Sequence, residues 1–181
     1  MNPISRREIA LRVVGREEAA TPLAEIYRRY CPYVAAVVLR LCGRAQEIDD
    51  LIQDVFVEAA RGLQRLREPE AIKGWLATIA VRLCHRHLRR RRVRRLLGLD
   101  QPTDYGHLVS HQSSPVDRLL LAAVYRILDE VPVADRLAFG LHHLEGEKLE
   151  VVARWLGCSC ATTKRRIARV QRRLREALGD G

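Results

Sequence analysis

The chain is poor in aromatic residues, short of acidic charge and without any long apolar run. Phe, Trp and Tyr make up 5% of its 181 residues, and Asp+Glu number 22 against 32 Lys+Arg. No apolar stretch approaches the roughly 18 residues of a membrane-spanning helix, so no membrane span is expected. The N-terminus, Met1 to Thr21, scatters its charges and lacks the apolar core of a signal peptide. Cysteines number five. An odd count without regular spacing argues against a disulfide framework and for a reducing cytosol, so the expected location is cytoplasmic. Strand-like alternation is scarce while Leu, Ala and Arg abound, which leaves an all-α fold. A glycine-rich phosphate loop, a nucleophile elbow and a metalloprotease motif are all missing. Paired carboxylates occur only at helical spacing on an open face, which is not an acid/base site, so the chain is not expected to be an enzyme.

What is abundant is positive charge. The formal net charge is +10 and the sequence pI is near 10.0, a surplus that favours a polyanionic partner through counterion release without conferring sequence specificity. Its most telling concentration is near the end of the chain. Leu149, Val152, Ala153 and Leu156 recur at i, i+3, i+4, i+7 and predict a helix with one apolar face. Gly157 stands where a helix C-terminus favours a left-handed residue, and Ser159 can cap the helix that follows. Ile167, Val170, Leu174 and Leu178 then trace a buried stripe, and Lys164, Arg165, Ala168, Arg169 and Arg172 fall on another face. Two such helices at a tight turn form a helix-turn-helix whose second helix could enter a major groove. The alternative is an ordinary arginine-rich solvated face.

A composition shift divides the chain. From Val93 to Pro115 helical periodicity fails and Gly98, Pro102, Gly106, Ser110, Ser113, Ser114 and Pro115 accumulate, which is linker composition. The expected organisation is an N-terminal extension at 1–22, a helical domain at 23–92, a flexible linker at 93–116 and a second helical domain at 117–181. In the first domain, Ile48, Leu51, Ile52, Val55, Phe56, Ala59, Ala60 and Leu63 trace an apolar face. The other side carries Asp50, Gln53, Asp54 and Glu58. The acidic i, i+4, i+8 row repels itself unless a basic partner is present. It is either a protein-binding surface or a solvated face. A second helix begins near Ala71, with Ile72, Trp75, Leu76, Ile79, Ala80, Leu83, Cys84 and His87 inward and Lys73, Arg82, His85, Arg86, Arg89 and Arg90 mostly exposed. It runs into Arg89-Arg90-Arg91-Arg92, followed by Arg94 and Arg95. This block reads as a phosphate track, with a solvated helix end or a basic tail as alternatives.

Together these segments resemble the extracytoplasmic-function (ECF) sigma factors, from about Leu23 to Leu178. Asp50-Leu51-Ile52-Gln53-Asp54-Val55-Phe56 is similar to the family's helix that docks on the clamp helices of RNA polymerase. Ile72-Lys73-Gly74-Trp75-Leu76-Ala77-Thr78-Ile79-Ala80 is similar to the segment leading into the promoter-melting helix. Val131-Pro132, Arg136, Gly146, Val152-Ala153, Leu156-Gly157 and Thr162-Thr163-Lys164-Arg165-Arg166-Ile167 follow the pattern of the second domain. The resemblance implies two domains, sigma region 2 and region 4. It also implies core RNA polymerase (clamp helices and flap region) and promoter DNA as partners, an anti-sigma factor as regulator, and no cofactor.

Carried onto this chain, the family's roles give Asp50, Gln53, Asp54 and Phe56 to polymerase binding, with Phe56 below the three polar residues. Lys73, Arg82, His85, Arg86, Arg89 and Arg90 would hold the minus-10 strand, with specificity from a loop at about Leu66 to Ala71. His142, Thr162, Lys164, Arg165, Ala168 and Arg169 would meet the minus-35 element. Arg82 and Arg86 stand where the family commonly has Asn and then Asp, which makes this helix unusually basic and implies an atypical minus-10 sequence. Leu178 lies nearly at the end of the sequence, so a fused regulatory domain is not expected. Cys84-His85-Arg86-His87 and Cys158-Ser159-Cys160 contain ligand types, but their spacing is wrong for structural zinc, so no metal site is expected. Cys31, Cys42 and Cys160 are expected in the core and His142-His143 on the surface. The rival reading is a free-standing helix-turn-helix regulator, which would not need the acidic row.

Overall fold

Local signals open two of the helices and turn the chain between the last two. Ser114 accepts the Asp117 backbone N–H at 3.1 Å while the Asp117 carboxylate takes the Ser114 N–H at 3.3 Å, a capping box with Pro115 in the first turn. Ser159 accepts the Thr162 N–H at 3.2 Å and opens the last helix. Gly157, at φ 60°, turns the chain between the last two helices, and the following Cys158 N–H reaches the Ala153 carbonyl at 3.0 Å. The glycine and the cap set the geometry of the helix-turn-helix as the sequence predicts.

The computed structural model describes residues 22–43, 48–65, 71–99, 105 and 114–179. Among them are seven α-helices and no strand. They are α1 (Pro22–Cys42), α2 (Ile48–Gly62), α3 (Ile72–Leu96), α4 (Pro115–Glu130), α5 (Val133–Phe139), α6 (Leu149–Trp155) and α7 (Cys160–Leu178). A short 3-10 turn, Leu63–Arg65, follows α2, and a wide π-type turn, Gly140–Leu144, continues α5. The expected all-α class holds. The N-terminal extension up to residue 21, the expected specificity loop apart from Ala71, and the linker residues 100–104 and 106–113 lie outside the described residues.

α1, α2 and α3 pack mutually through Val34, Val38, Leu41, Leu51, Val55, Phe56, Leu76, Ile79 and Leu83. α3 also packs against α5 and α6, so it is apolar on more than one side, and Ala77 and Val81 are buried along with the expected stripe, of which Trp75 and His87 are only half-buried. α7 lies across α5 and α6, burying Thr163, Ile167 and Val170. Leu174 is half-buried and Leu178 is exposed, so the predicted stripe fades over the last turns of α7.

Two sequence expectations change. Val93–Leu96, assigned to the linker, continue α3 without a break. The two helical halves also share one buried core, in which Leu137, Ala138, Leu141, Val152 and Ile167 join the side chains of α1–α3. The linker's Tyr105 is itself buried, stacked on Tyr125 with ring centroids 5.2 Å apart.

Candidate functional site

α2 and α3 run side by side so that the acidic row of one meets arginines of the other. Arg82 pairs with Glu58 at 2.7 Å. Asp50, Asp54, Arg86 and Arg90, with Leu51, Leu83 and His87, line a single cleft of about 240 Å³. The basic partner that the row requires is therefore supplied within the chain. Arg82 is exposed and Glu58 partly so, which leaves the pair screened by solvent, and its contribution to stability is about 1 kcal/mol or less. Asp50 and Asp54 are exposed and Gln53 is half-buried, which leaves these carboxylates accessible to a protein partner. Phe56 is different. It is buried under α2 with its ring edge-on to Tyr27 at 4.7 Å, so it supports the helix and offers no contact of its own.

The expected minus-10 residues split into two groups. Lys73, Arg82, Arg86, Arg89 and Arg90 are exposed, with the Lys73 ammonium over the Tyr33 ring at 4.7 Å. His85 is half-buried, and burial, then Arg89 and Arg166, hold its pKa below the ordinary value. It is therefore neutral at pH 7, and its grip on phosphate is correspondingly weak. The phosphate-track reading fails for the second half of the arginine block. Arg91 is buried and bonds Asp129, the Tyr105 hydroxyl at 2.8 Å and the Cys42 carbonyl at 3.0 Å. Arg95 reaches the other Asp129 oxygen at 2.6 Å, and Arg92 donates to the Val131 carbonyl at 2.9 Å. These three side chains dock the second half of the chain, and they explain why α3 stays helical past residue 92.

Asp129 is the centre of that docking. Besides Arg91 and Arg95 it accepts from Arg136 and from the Tyr105 hydroxyl. Arg136, also buried, extends its other nitrogens to the carbonyls of Leu41 at 3.0 Å and Cys42 at 2.8 Å. Burial alone would raise the Asp129 pKa, but Arg136, Arg91, Tyr105 and Arg95 together hold it below the usual carboxylate value. Arg40 bonds Glu145 through both its Nε and an Nη, and the Tyr125 hydroxyl donates to the Arg40 carbonyl at 2.8 Å. The C-terminal end of α1 is thus the seat on which the second half rests.

On α7, Lys164, Arg165 and Ala168 are exposed, as a reading face requires. Arg165 also donates to the Thr162 hydroxyl at 3.2 Å, and that hydroxyl lies 3.0 Å from the Ser159 hydroxyl, so Thr162 belongs to the cap network. Arg169 is held side-on by Asp135 through Nε and one Nη, each at 2.8 Å. Asp135 is 2% exposed, with Arg166 a further 3.9 Å away. His142 is half-buried with Nδ1 2.8 Å from the Glu147 carbonyl, so one ring nitrogen is already engaged. Sequence reasoning missed Asp129, Tyr105 and Asp135. Nothing local marks their partners, which lie on other helices or in the linker, 7 to 38 residues away.

Of the cysteines, Cys42 and Cys84 are buried and Cys31, Cys158 and Cys160 half-buried. Cys31 and Cys160, both expected in the core, are not fully buried: Cys31 packs against its edge and Cys160 is half-buried at the start of α7. Among the described residues no group of three or more His, Cys, Asp or Glu is placed to hold a metal ion, and no helix is long and apolar enough to cross a membrane.

Comparison with known proteins gives the same picture from another side. Residues 26–94 match the family described as Sigma-70 region 2. The chain is 29% identical over 171 residues to the ECF RNA polymerase sigma factor SigM of Mycobacterium tuberculosis, covering 94% of this chain and 83% of that one. It is 28% identical to the RNA polymerase sigma-H factor of Pseudomonas aeruginosa, covering 83% and 82%. Among solved structures, the fold is similar to that of the sigma factor RpoE in complex with the anti-sigma factor NepR from Bartonella quintana. The TM-score is 0.65 at 24% identity over 84% of this chain and 93% of that one. It also resembles CnrH in complex with the cytosolic domain of CnrY, with a TM-score of 0.59 at 20% identity and 96% coverage of both. By its matched region, its relatives and its paired helical halves, this chain is similar to the ECF group of RNA polymerase sigma factors.

Proposed function

We propose that this protein is an alternative sigma factor that binds core RNA polymerase and directs it to specific promoters. The observation that carries the reading is one chain holding two distinct surfaces: an accessible acidic face, Asp50 and Asp54, and a capped helix-turn-helix with Lys164, Arg165 and Ala168 outward. Asp50, Gln53 and Asp54 pair with basic groups on the polymerase clamp. Lys73, Arg82, Arg86, Arg89 and Arg90 hold the backbone of the opened minus-10 strand, where unstacking a base costs a few kcal/mol and needs compensation from bound phosphate and a receiving pocket. α7 reads the minus-35 element in the major groove. Bond formation belongs to the polymerase, and the protein acts in the cytoplasm. Its second protein partner is an anti-sigma factor, by analogy with the two similar structures, which are complexes of that kind.

The test is transcription in vitro with bacterial core polymerase on a promoter library, comparing the wild type with Asp50→Ala/Asp54→Ala. Specific initiation that fails in the double variant supports both the function and the docking face. Initiation untouched by the substitutions removes that face from the reading. No initiation, with tight sequence-specific binding by the protein alone, moves the chain to the free-standing regulators.

A further inference from the structure

The promoter reading leaves two buried thiols unused. Cys42, the last residue of α1, and Cys84, in the middle of α3, are both fully buried where these helices pack together. They share one apolar core, and the Cys84 thiol donates a hydrogen bond to the Cys42 sulfur. Cysteines that serve only as small hydrophobes need no charge beside them. These have it. Arg91 and Arg136 both donate to the Cys42 carbonyl, at 3.0 and 2.8 Å, and His87 stands one turn along α3 from Cys84. The hydrogen bond from Cys84, then His87, Arg136 and Arg91, hold the Cys42 pKa below its ordinary value against the opposing effect of burial. The same hydrogen bond, with burial, pushes Cys84 well above it. One sulfur is therefore disposed to be a thiolate, while its neighbour keeps a proton.

That division of roles suits a dithiol that reduces a peroxide, in which the thiolate attacks and the second thiol resolves. Leu83, beside Cys84, and His87 line the cleft of about 240 Å³ between α2 and α3, so a solute as small as hydrogen peroxide reaches the neighbourhood of the pair without global unfolding. A disulfide requires the sulfurs to close to about 2.05 Å. Cys42 ends its helix and is followed by Gly43 at φ 73°, so that movement falls at a helix terminus and not within one. We propose that Cys42 and Cys84 form a redox-active dithiol whose substrates are small hydroperoxides. The Cys42 sulfur attacks the peroxide and breaks its O–O bond. Cys42 becomes a sulfenic acid, and the leaving oxygen takes up the proton the thiol gave, departing as an alcohol, or as water from hydrogen peroxide. The Cys84 sulfur then attacks the Cys42 sulfur and expels the hydroxyl, which leaves as water with the Cys84 proton. Two thiols are oxidised to one disulfide, and one peroxide is reduced by two electrons. In a reducing compartment the cross-link between α1 and α3 is transient, reversed by exchange with small thiols.

The full-length wild type, reduced and freed of reductant, is treated in its folded state with stoichiometric hydrogen peroxide. Free thiols are alkylated under denaturing conditions at successive times, and the digests are read by mass spectrometry. We expect Cys42 and Cys84 to lose their alkylation together and to appear as one linked peptide pair, which dithiothreitol returns to thiols. The more exposed Cys31, Cys158 and Cys160 should oxidise later, an order that packing alone would reverse. Cys31→Ser/Cys158→Ser/Cys160→Ser should give the same linked pair at the same rate. Cys84→Ala should stop at the Cys42 sulfenic acid, captured by dimedone. Thermal melts verify folding, and should Cys84→Ala lose its cooperative melt, the wild type and the triple variant carry the comparison. Recovery of Cys42 and Cys84 as alkylated thiols while the other cysteines oxidise overturns the proposal. So does a disulfide that joins any other pair, or one that links two chains.

Discussion

Replacing Asp135 by Asn should blunt sequence discrimination at the minus-35 element while leaving the protein folded. The Asp135 carboxylate holds Arg169 through Nε and one Nη. A guanidinium gripped side-on keeps its remaining N–H groups available at the outer end, in a pose that a mobile arginine would have to search for. The variant keeps the shape and one acceptor but loses the charge and one of the two strong bonds. Because Arg169 is half-exposed, the effect on stability is screened and should be about 1 kcal/mol or less. The effect on readout is larger in relative terms. A good bidentate base contact contributes roughly 1–3 kcal/mol of discrimination, and loss of its preorganisation should lower the specific-to-nonspecific affinity ratio by about tenfold. Nonspecific binding should rise instead, since one negative charge has gone and Arg169 is released to find a phosphate. The salt dependence should steepen by about 0.9 in log–log slope. The assay is fluorescence anisotropy of the polymerase-bound protein with cognate and scrambled minus-35 duplexes over a range of salt. A specificity ratio unchanged within twofold, with an unchanged slope, would refute the assignment of Asp135 as a positioning residue.

Two further outcomes follow from the fold. Ser159→Ala removes the acceptor for the Thr162 N–H and should cost about 1 kcal/mol, lowering Tm by about 3 °C in a thermal melt with no loss of helix content. Burial pushes the Tyr125 hydroxyl up to about 12 from an ordinary value of 10.0. The native state then retains a proton that the unfolded chain releases, so its stabilising effect is full below pH 10 and lost as pH rises towards 12. The loss amounts to roughly 3 kcal/mol. Denaturant titrations across that window should show the decline, and Tyr125→Phe should make it shallower; an equally steep decline in the variant would remove Tyr125 as its cause.

The sequence by itself determined what depends on near neighbours. Helical periods marked α2, α3, α6 and α7. Gly157 and Ser159 set the turn between the last two, because the left-handed residue and the side-chain cap act within a few residues of where they stand. The acidic row on α2 and the exposed positions of Lys164, Arg165 and Ala168 followed from helix geometry alone. Only the tertiary structure decided which charges remain for a partner. Arg89, Arg90, Arg91 and Arg92 look alike in sequence. Yet Arg91 is buried on Asp129, Arg92 is spent on the Val131 carbonyl, and Arg89 and Arg90 face outward. A buried guanidinium must be matched by an acid, and that acid lies 38 residues away on another helix. The same holds for Arg169 and Asp135, 34 residues apart, and for Phe56, which shares the acidic helix but faces the core. Periodicity says which side of a helix is apolar. It does not say that α3 is covered on a second side by α5 and α6. That contact, made between halves the sequence reads as separate, closes the molecule.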